Sequence, residues 1–578
     1  MPSFLDAPEY KPEAQPVRRL AELFYDRFFY NDLISSHDDP QLAASNLMAI
    51  LIFPGIMCLY LIPKYHMELA RATLAERELA ILGDRFLWLS FEMAVLGLLT
   101  TLQWERLFPD RRDYMILGPQ PISMRLLFEA QARALGRFLA VFLLAVNWGS
   151  ALFFPIATAP NSASLLQGLG MALGHWTSII AAGIFAVLMV VALQGVLTNL
   201  LPPELFDRVS PVVQSTLGAG FLGVIVLLPL LSIRLTAGVD SVEQLVTQNP
   251  STWSLPPLWF AALGGWMGGG SPLLAPLAGW ATLAFLAAAV VALGTYLLSY
   301  RRFLRRSLES AGQSRAGNSL AASAVRAALA RTWVKDPSER AAFFFTLWTI
   351  SRSRQHRLYL GAFLSVGVAV AVAQTWFVRN FEAPSELLLS QPYLLLFLAL
   401  VGLKAIFAIP SELPANVAFR SHAAATVEVY MRGTRKAVWA AAALPLLCVS
   451  TFVAALLWGI AAALVHALVL FMAAWISIEV MLARYWRIPF TCNYVAGRPH
   501  VIIIWTFCAI GALAYSSFLA GIELWAMESF PRAAALAAAT AAVAAVWPRY
   551  RPAPDEFSTT LVFEEPSDLV VYRLNLYD

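Results

Sequence analysis

The stretch Leu102–Phe138, "LQWERLFPDRRDYMILGPQPISMRLLFEAQARALGRF", breaks into a very apolar chain with arginines, acids and prolines, then resumes a helical pattern. The apolar runs on either side, 84–104 and 138–157, each reach the roughly 20 residues that a bilayer span requires. The polar passage therefore reads as a loop at a membrane face. The same alternation of apolar run and polar break recurs along the whole chain.

Composition agrees. Of 578 residues, 59% are hydrophobic and only 13% charged, with mean hydropathy +0.64, whereas soluble domains carry about a quarter charged residues. These values imply an all-α polytopic integral membrane protein. The opening "MPSFLDAPEYKPEAQPVRR" is polar and acidic and shows no cleavable secretory signal. Cys58, Cys448, Cys492 and Cys508 are scattered, with no CxxC pair or Cys/His cluster. Neither a disulfide framework nor a zinc site is indicated.

About twelve spans are expected. Six centre on 43–63, 84–104, 138–157, 174–199, 212–233 and 277–299. Six more centre on 358–378, 390–410, 437–458, 460–482, 501–522 and 531–547. The near-continuous run 437–482 is too long for one span and is expected to be a tight hairpin of two. Basic residues favour the cytoplasmic side. Six arginines in 105–137, the Arg301–Arg357 segment, Arg420–Lys436 and the "RYWRIPFTCNYVAGRPH" loop favour cytoplasmic termini, and a bacterial inner membrane is the expected location. Lys64–Arg85, with four basic residues on the opposite side, runs against that pattern.

The Arg301–Arg357 segment divides the chain into two six-helix halves. The expected organisation is a cytoplasmic segment 1–42, a first half 43–299, a linker 300–356, a second half 357–548 and a cytoplasmic tail 549–578. Each half opens with an amphipathic interfacial helix. In the first, Val17, Leu20, Phe24 and Phe28 share a face, away from Arg18, Arg19 and Asp26. In the second, Asp336, Pro337 and Glu339 form a capping box before Phe343, Phe344, Leu347, Trp348 and Ile350. A second polar insert, "IPSELPANVAFRSHAAATVEVYMRGTRKAV", follows the eighth span. The tail motifs "TTLVFEE" and "DLVVYRLN" suit a small hairpin.

No P-loop, HExxH or GxSxG motif occurs, so the chain is not expected to be an enzyme. Nothing points to a nucleic-acid partner or a metal. Ionisable residues inside spans are costly and are functional candidates by default. Glu92 in "FLWLSFEMAVLG" is the deepest and the candidate pathway residue. Lys404 can snorkel to a nearby face, Glu479 lies near Arg484, and His466 suits a satisfied polar contact.

A polar insert between the second and third of six spans, after an amphipathic lead-in helix, resembles the permease subunits of type-2 ABC exporters. In that family the insert forms a coupling helix that docks on the ATPase. The resemblance rests on Asp110-Arg111-Arg112-Asp113-Tyr114, Leu117 and Pro121-Ile122-Ser123, followed by "MRLLFEAQARALGRF". The apolar segment "STWSLPPLWFAALGGWMGGG" is similar to the short re-entrant helices these permeases carry between their fifth and sixth spans. The resemblance implies a fused pair of permease units with no cofactor of its own. ATP would be hydrolysed by a separate ABC-type ATPase subunit, and a substrate not readable from sequence would be exported. Pro109, Asp110, Arg111, Arg112, Asp113, Tyr114 and Leu117 would dock the ATPase in the first half, and Pro414, Asn416 and Arg420 in the second, where the fit is looser.

Two other functions compete. A twelve-span ion-coupled secondary transporter also carries an Asp-Arg-rich loop after its second span, but the glycines expected around "PDRRD" are replaced by Arg106 and Asp113. Such a transporter also buries charge in both halves, and only Glu92 is evident. A membrane enzyme or assembly factor would use Cys492, Asn493, Arg498 and His500, with no oxyanion-stabilising element in view.

Overall fold

The computed structural model describes residues 16–29, 40–104, 107, 124–159, 164–248, 250–309, 327–378, 380–411, 427–483, 485, 487–491 and 501–550. It is 89% helical, with no strand among the described residues. Among the described residues, ten helices are long and apolar enough to cross a membrane. The chain is an all-α, multi-pass membrane protein. It forms two compact units that divide between Gln313 and Ser314. The tail motifs lie outside the described residues.

The first unit begins with α1 (Pro16–Phe29). Its apolar stripe works as expected: Leu20 and Phe24 are buried, while Arg18, Arg19 and Asp26 face outward. What covers the stripe is protein, not lipid. Leu20 and Phe24 share a core with Leu127, Ala130, Ala134 and Phe138, at the start of α4. The Arg137 guanidinium lies 4.4 Å over the Tyr25 ring. Partial burial at this contact pushes the Asp26 carboxyl up, against the opposing pull of Arg137.

Helix α2 (Pro40–Met57) runs on through a 3-10 turn and a π turn to Glu68. Helix α3 (Leu74–Leu102) starts at Thr73, whose hydroxyl caps Glu76 N while the Glu76 side chain returns to Thr73 N. Helices α4 (Met124–Thr158), α5 (Leu165–Leu200) and α6 (Pro203–Thr236) follow. Then come the short α7 (Val242–Gln248) and α8 (Pro256–Met267), and the long α9 (Ala275–Glu309). At 12 residues, α8 rises about 18 Å, too little to cross a bilayer. Yet Leu258, Phe260, Ala261 and Ala262 are fully buried against α3, α5 and α9. It is thus an apolar half-helix seated inside the unit, at the place where re-entrant helices are expected.

The four basic residues of Lys64–Arg85 are not a loose positive loop. Lys64 Nζ is 2.7 Å from both oxygens of Asp84, Arg77 donates to the carbonyls of Leu69 and Ala70, and Arg85 is 2% exposed. Most of that charge is consumed within the protein.

In the second unit, α10 (Pro337–Arg352) is capped by Asp336, which accepts from Ser338 N and Glu339 N. The capping box does not close. Glu339 turns instead to Lys436 Nζ, 2.5 Å away, because a buried carboxylate gains more from a cation than from a backbone amide. Ala342 and Phe343 are fully buried, while Trp348 stays 40% exposed. Helix α10 packs on α13 (Val427–Val438), where a Cβ on Gly433 would stand 2.2 Å from Glu339 O. Helices α11 (Arg354–Phe377) and α12 (Glu386–Phe407) lie between them in sequence.

Helix α13 continues through a π turn into α14 (Leu444–Leu482), which is sharply broken at Gly459 (φ 84°, ψ 171°). Arg435 Nε lies 3.5 Å from Glu479 Oε1, and the Trp439 and Phe471 rings are 5.2 Å apart. Along a straight helix Arg435 and Glu479 would be about 66 Å apart. The chain therefore doubles back at Gly459, giving the expected hairpin with arms 437–458 and 460–482. Helices α15 (Val501–Met527) and α16 (Phe530–Tyr550) complete the unit.

Candidate functional site

Glu92 lies midway along α3 with no exposed surface. Asn147 on α4 donates from Nδ2 to Glu92 Oε1 at 2.7 Å, and its Oδ1 accepts from Trp88 Nε1 at 3.0 Å. Trp88 and Glu92 sit one turn apart on α3, so a single asparagine can bridge them. On the far side Gly183 of α5 leaves room for the carboxylate, since a Cβ there would stand 2.5 Å from Oε1. The second oxygen, Oε2, is buried and makes no hydrogen bond among the described residues. A carboxyl group with one tethered and one free oxygen inside apolar helix packing can take up a proton or meet a cation. A purely structural carboxyl tends to have both oxygens satisfied.

On α4 one turn after Asn147, and on α5 two turns before Gly183, lies a second polar contact. Ser150 Oγ lies 2.8 Å from His175 Nε2, and the His175 ring stacks on Phe154 at 4.2 Å. Helix α5 approaches α8 closely enough to hold this group in place, through facing glycines at 174 and 264.

The second unit contains a cluster that the sequence reading missed. Glu523 on α15 is fully buried between two partners. Its Oε1 is 2.8 Å from His466 Nδ1, and its Oε2 accepts from the Tyr393 hydroxyl. His466 is thus a partnered histidine, as expected, though Nε2 has no hydrogen bond among the described residues. Glu523 escaped notice because "IELWAMESFPR" reads as a short outer loop. Helix α15 instead runs on to Met527, and Ser516, Leu519, Ala520, Glu523 and Ala526 form one buried face. That i, i+3, i+4, i+7 spacing was the available signal.

The other candidates fall apart from these clusters. Lys404 is exposed near the end of α12. Glu479 pairs with Arg435 and accepts from Trp547 Nε1 at 3.3 Å, whereas Arg484 lies outside the described residues. Also outside them are Pro109, Asp110, Arg111, Arg112, Asp113, Tyr114 and Leu117 of the first insert, and Pro414, Asn416 and Arg420 of the second. The same holds for Cys492, Asn493, Arg498 and His500.

The roots of the inserts are described, and they are firmly held. Trp104, 2% exposed, donates from Nε1 to Ser210 Oγ at 2.9 Å, and its carbonyl accepts from Gln194 Nε2 at 2.6 Å. Gln214 Nε2 donates to Thr101 O at 2.8 Å, and Leu107 is fully buried. In the second unit, Phe490 N donates to Phe407 O and Phe490 O accepts from Ser411 N. The Phe490 ring meets His356 edge-on at 4.6 Å, and His356 Nε2 lies 3.0 Å from Ile409 O. Phe490 adopts φ 67°, an unusual value for a side-chain-bearing residue, with its neighbours holding it there.

Comparison with protein-family models, with curated proteins and with solved structures finds no match to this chain.

Proposed function

We propose that this chain is the membrane-spanning permease of an ATP-driven exporter of the type-2 ABC kind, with two six-span units fused in one chain and ATP hydrolysed by a separate subunit. The observation that carries the reading is a repeated arrangement. In each unit a short lead-in helix packs on the first turns of the helix that leaves the polar insert: α1 on α4, and α10 on α13. A force applied at either insert is thereby delivered to the base of a long apolar helix. An ATPase partner can bias a permease's conformations only if it holds those conformations differently, which requires stiff insert roots. Trp104 and Phe490 provide them.

Counting α3 and both arms of the hairpin with the other apolar helices gives twelve spans, in line with this reading. The internal neutralisation of Lys64 and the burial of Arg85 weaken the one objection to cytoplasmic termini. Docking would use Pro109, Asp110, Arg111, Arg112, Asp113, Tyr114 and Leu117 in the first insert and Pro414, Asn416 and Arg420 in the second. Arg111 and Arg112 would meet carboxylates on the ATPase.

The test is co-purification of the tagged full chain from its native membrane under gentle detergent. A P-loop ATPase is expected with the wild type and should drop away with Arg111→Glu/Arg112→Glu. A clean wild-type preparation without any ATPase would overturn the proposal. A second reading, an ion-coupled transporter, draws on the buried carboxyls Glu92 and Glu523, one in each unit. It predicts transport driven by a pH gradient without ATP, abolished by Glu92→Gln.

A further inference from the structure

Arg85 is 2% exposed, yet no carboxylate among the described residues pairs with it. Its contacts are few. Nη1 donates to Ala261 O at a long 3.3 Å, and the guanidinium lies 5.3 Å over the Phe154 ring. Nε makes no hydrogen bond among the described residues. The nearby cations and acids are otherwise engaged: Asp84 is taken by Lys64 and by the Tyr65 hydroxyl. A buried charge without a counter-ion costs several kcal/mol, and one carbonyl with one ring face offsets only part of that.

Arg85 nonetheless borders open space. It lines a cleft of about 320 Å³ between α3, α5, the end of α8 and the chain that follows it. Ile81, Leu82, Met171 and Leu274 supply apolar wall. Gly265 lies beside the charged end: a Cβ there would press on Leu274 Cδ1 at 2.9 Å and touch Arg85 Nη1 at 3.4 Å. Glu78 lines the cleft two turns before Arg85 on α3, accepting from Ser271 N.

We propose that this cleft binds an anionic group, a carboxylate or a phosphodiester, carried on an apolar body, with the Arg85 guanidinium as its counter-ion. Arg85 lacks a carboxylate partner among the described residues, and Ile81, Leu82, Met171 and Leu274 give the cleft an apolar side. Arg77, which also lines it, already donates to the Leu69 and Ala70 carbonyls and stands next to Glu78. These features favour an anionic amphiphile over inorganic phosphate or a sugar phosphate. The volume suits a lipid headgroup or the acid end of an acyl chain. The proposal stands independently of the exporter reading, because it concerns occupancy of a cleft and not transport.

The experiment uses the purified, delipidated full chain in uncharged detergent and follows its unfolding midpoint. Ligands are dodecanoate, phosphatidylglycerol and inorganic phosphate, with dodecanol and phosphatidylcholine as controls lacking net charge. A saturable rise is expected with dodecanoate, phosphatidylglycerol or both, and not with the controls. Response to phosphatidylglycerol alone identifies a membrane lipid as the source, and response to dodecanoate alone a free acid. Arg85→Met should weaken binding about 100-fold, the loss of a charge-assisted contact. Glu78→Gln, at the half-buried rim, should tighten it. Should Arg85→Met fail to fold, Glu78→Gln and Gly265→Ala, which pushes on the Leu274 wall and fills space beside the guanidinium, still move the affinity in opposite directions. No wild-type response, a response to inorganic phosphate alone, or affinities unchanged by the substitutions would overturn the proposal.

Discussion

Gly174 of α5 and Gly264 of α8 meet backbone to backbone: a methyl group on Gly174 would stand 2.3 Å from the carbonyl oxygen of Gly264. The contact sets the seat of the half-helix α8, and with it the carbonyl of Ala261 and the position of His175. A carbonyl oxygen cannot rotate aside as a side-chain tip can, so one of the two helices has to shift. Gly174→Ala is expected to cost about 1–3 kcal/mol through overpacking. Gly279→Ala on α9, where a Cβ meets nothing within 4 Å, should be neutral or slightly stabilising. Thermal unfolding of the two variants in one detergent checks the contrast. Equal midpoints would contradict it.

Gly459 occupies a backbone region that is nearly exclusive to glycine. Gly459→Val should cost about 1–3 kcal/mol in strain and loosen the apposition of the two arms. Cysteines placed at Trp439 and Phe471, whose rings lie 5.2 Å apart, report on that apposition. Cross-linking should be efficient in the parent and reduced when Gly459→Val is added. Undiminished cross-linking would show that the hairpin does not depend on glycine.

Tyr393, Glu523 and His466 share one carboxylate, so their contributions cannot be independent. Tyr393→Phe leaves Glu523 Oε2 unpartnered in a buried site, at an expected cost of about 1–3 kcal/mol. Glu523→Gln combined with Tyr393→Phe should be less damaging than the sum of the two, with a coupling of about 0.5–3 kcal/mol. A double-mutant cycle on the unfolding midpoint measures it. Strict additivity would mean the contact contributes nothing.

Thr73 and Glu76 give a pH-dependent cap to α3. The backbone amide of Thr73, then its hydroxyl, hold the Glu76 carboxyl below its usual range. A lowered native value means that the stabilisation is complete above the ordinary carboxylate pKa and is lost as pH falls through the native one. Glu76→Gln should therefore unfold earlier than wild type at pH 7, and the gap should close below about pH 4. A gap that persists or widens in acid would refute the assignment.

Much of the fold was legible because it follows from hydrophobic spacing. The Leu20/Phe24 stripe and the doubling back within 437–482 came from pattern alone, whereas the short apolar helix α8 was expected only from a resemblance. What covers a stripe did not: α1 and α10 look membrane-facing in sequence, and only the structure supplies α4 and α13 as their partners. Polar residues inside helices were the hardest to place. Glu92 stood out because apolar residues surround it. Glu523 lies close to a polar helix end, where charge normally marks a boundary, and its meaning depends on Tyr393 and His466, 130 and 57 residues away. Arg85 was counted with its neighbours as loop charge, since nothing local separates a solvated arginine from one folded under a glycine-rich turn.

The reversal at Gly459 also bears on how the second unit is made. Its two arms are joined by a single non-helical residue, so no hydrated loop has to be hauled through the lipid when they insert. During synthesis the pair can leave the translocation machinery side by side, as one wedge. The earlier arm then need not settle in the bilayer before the later one has been made.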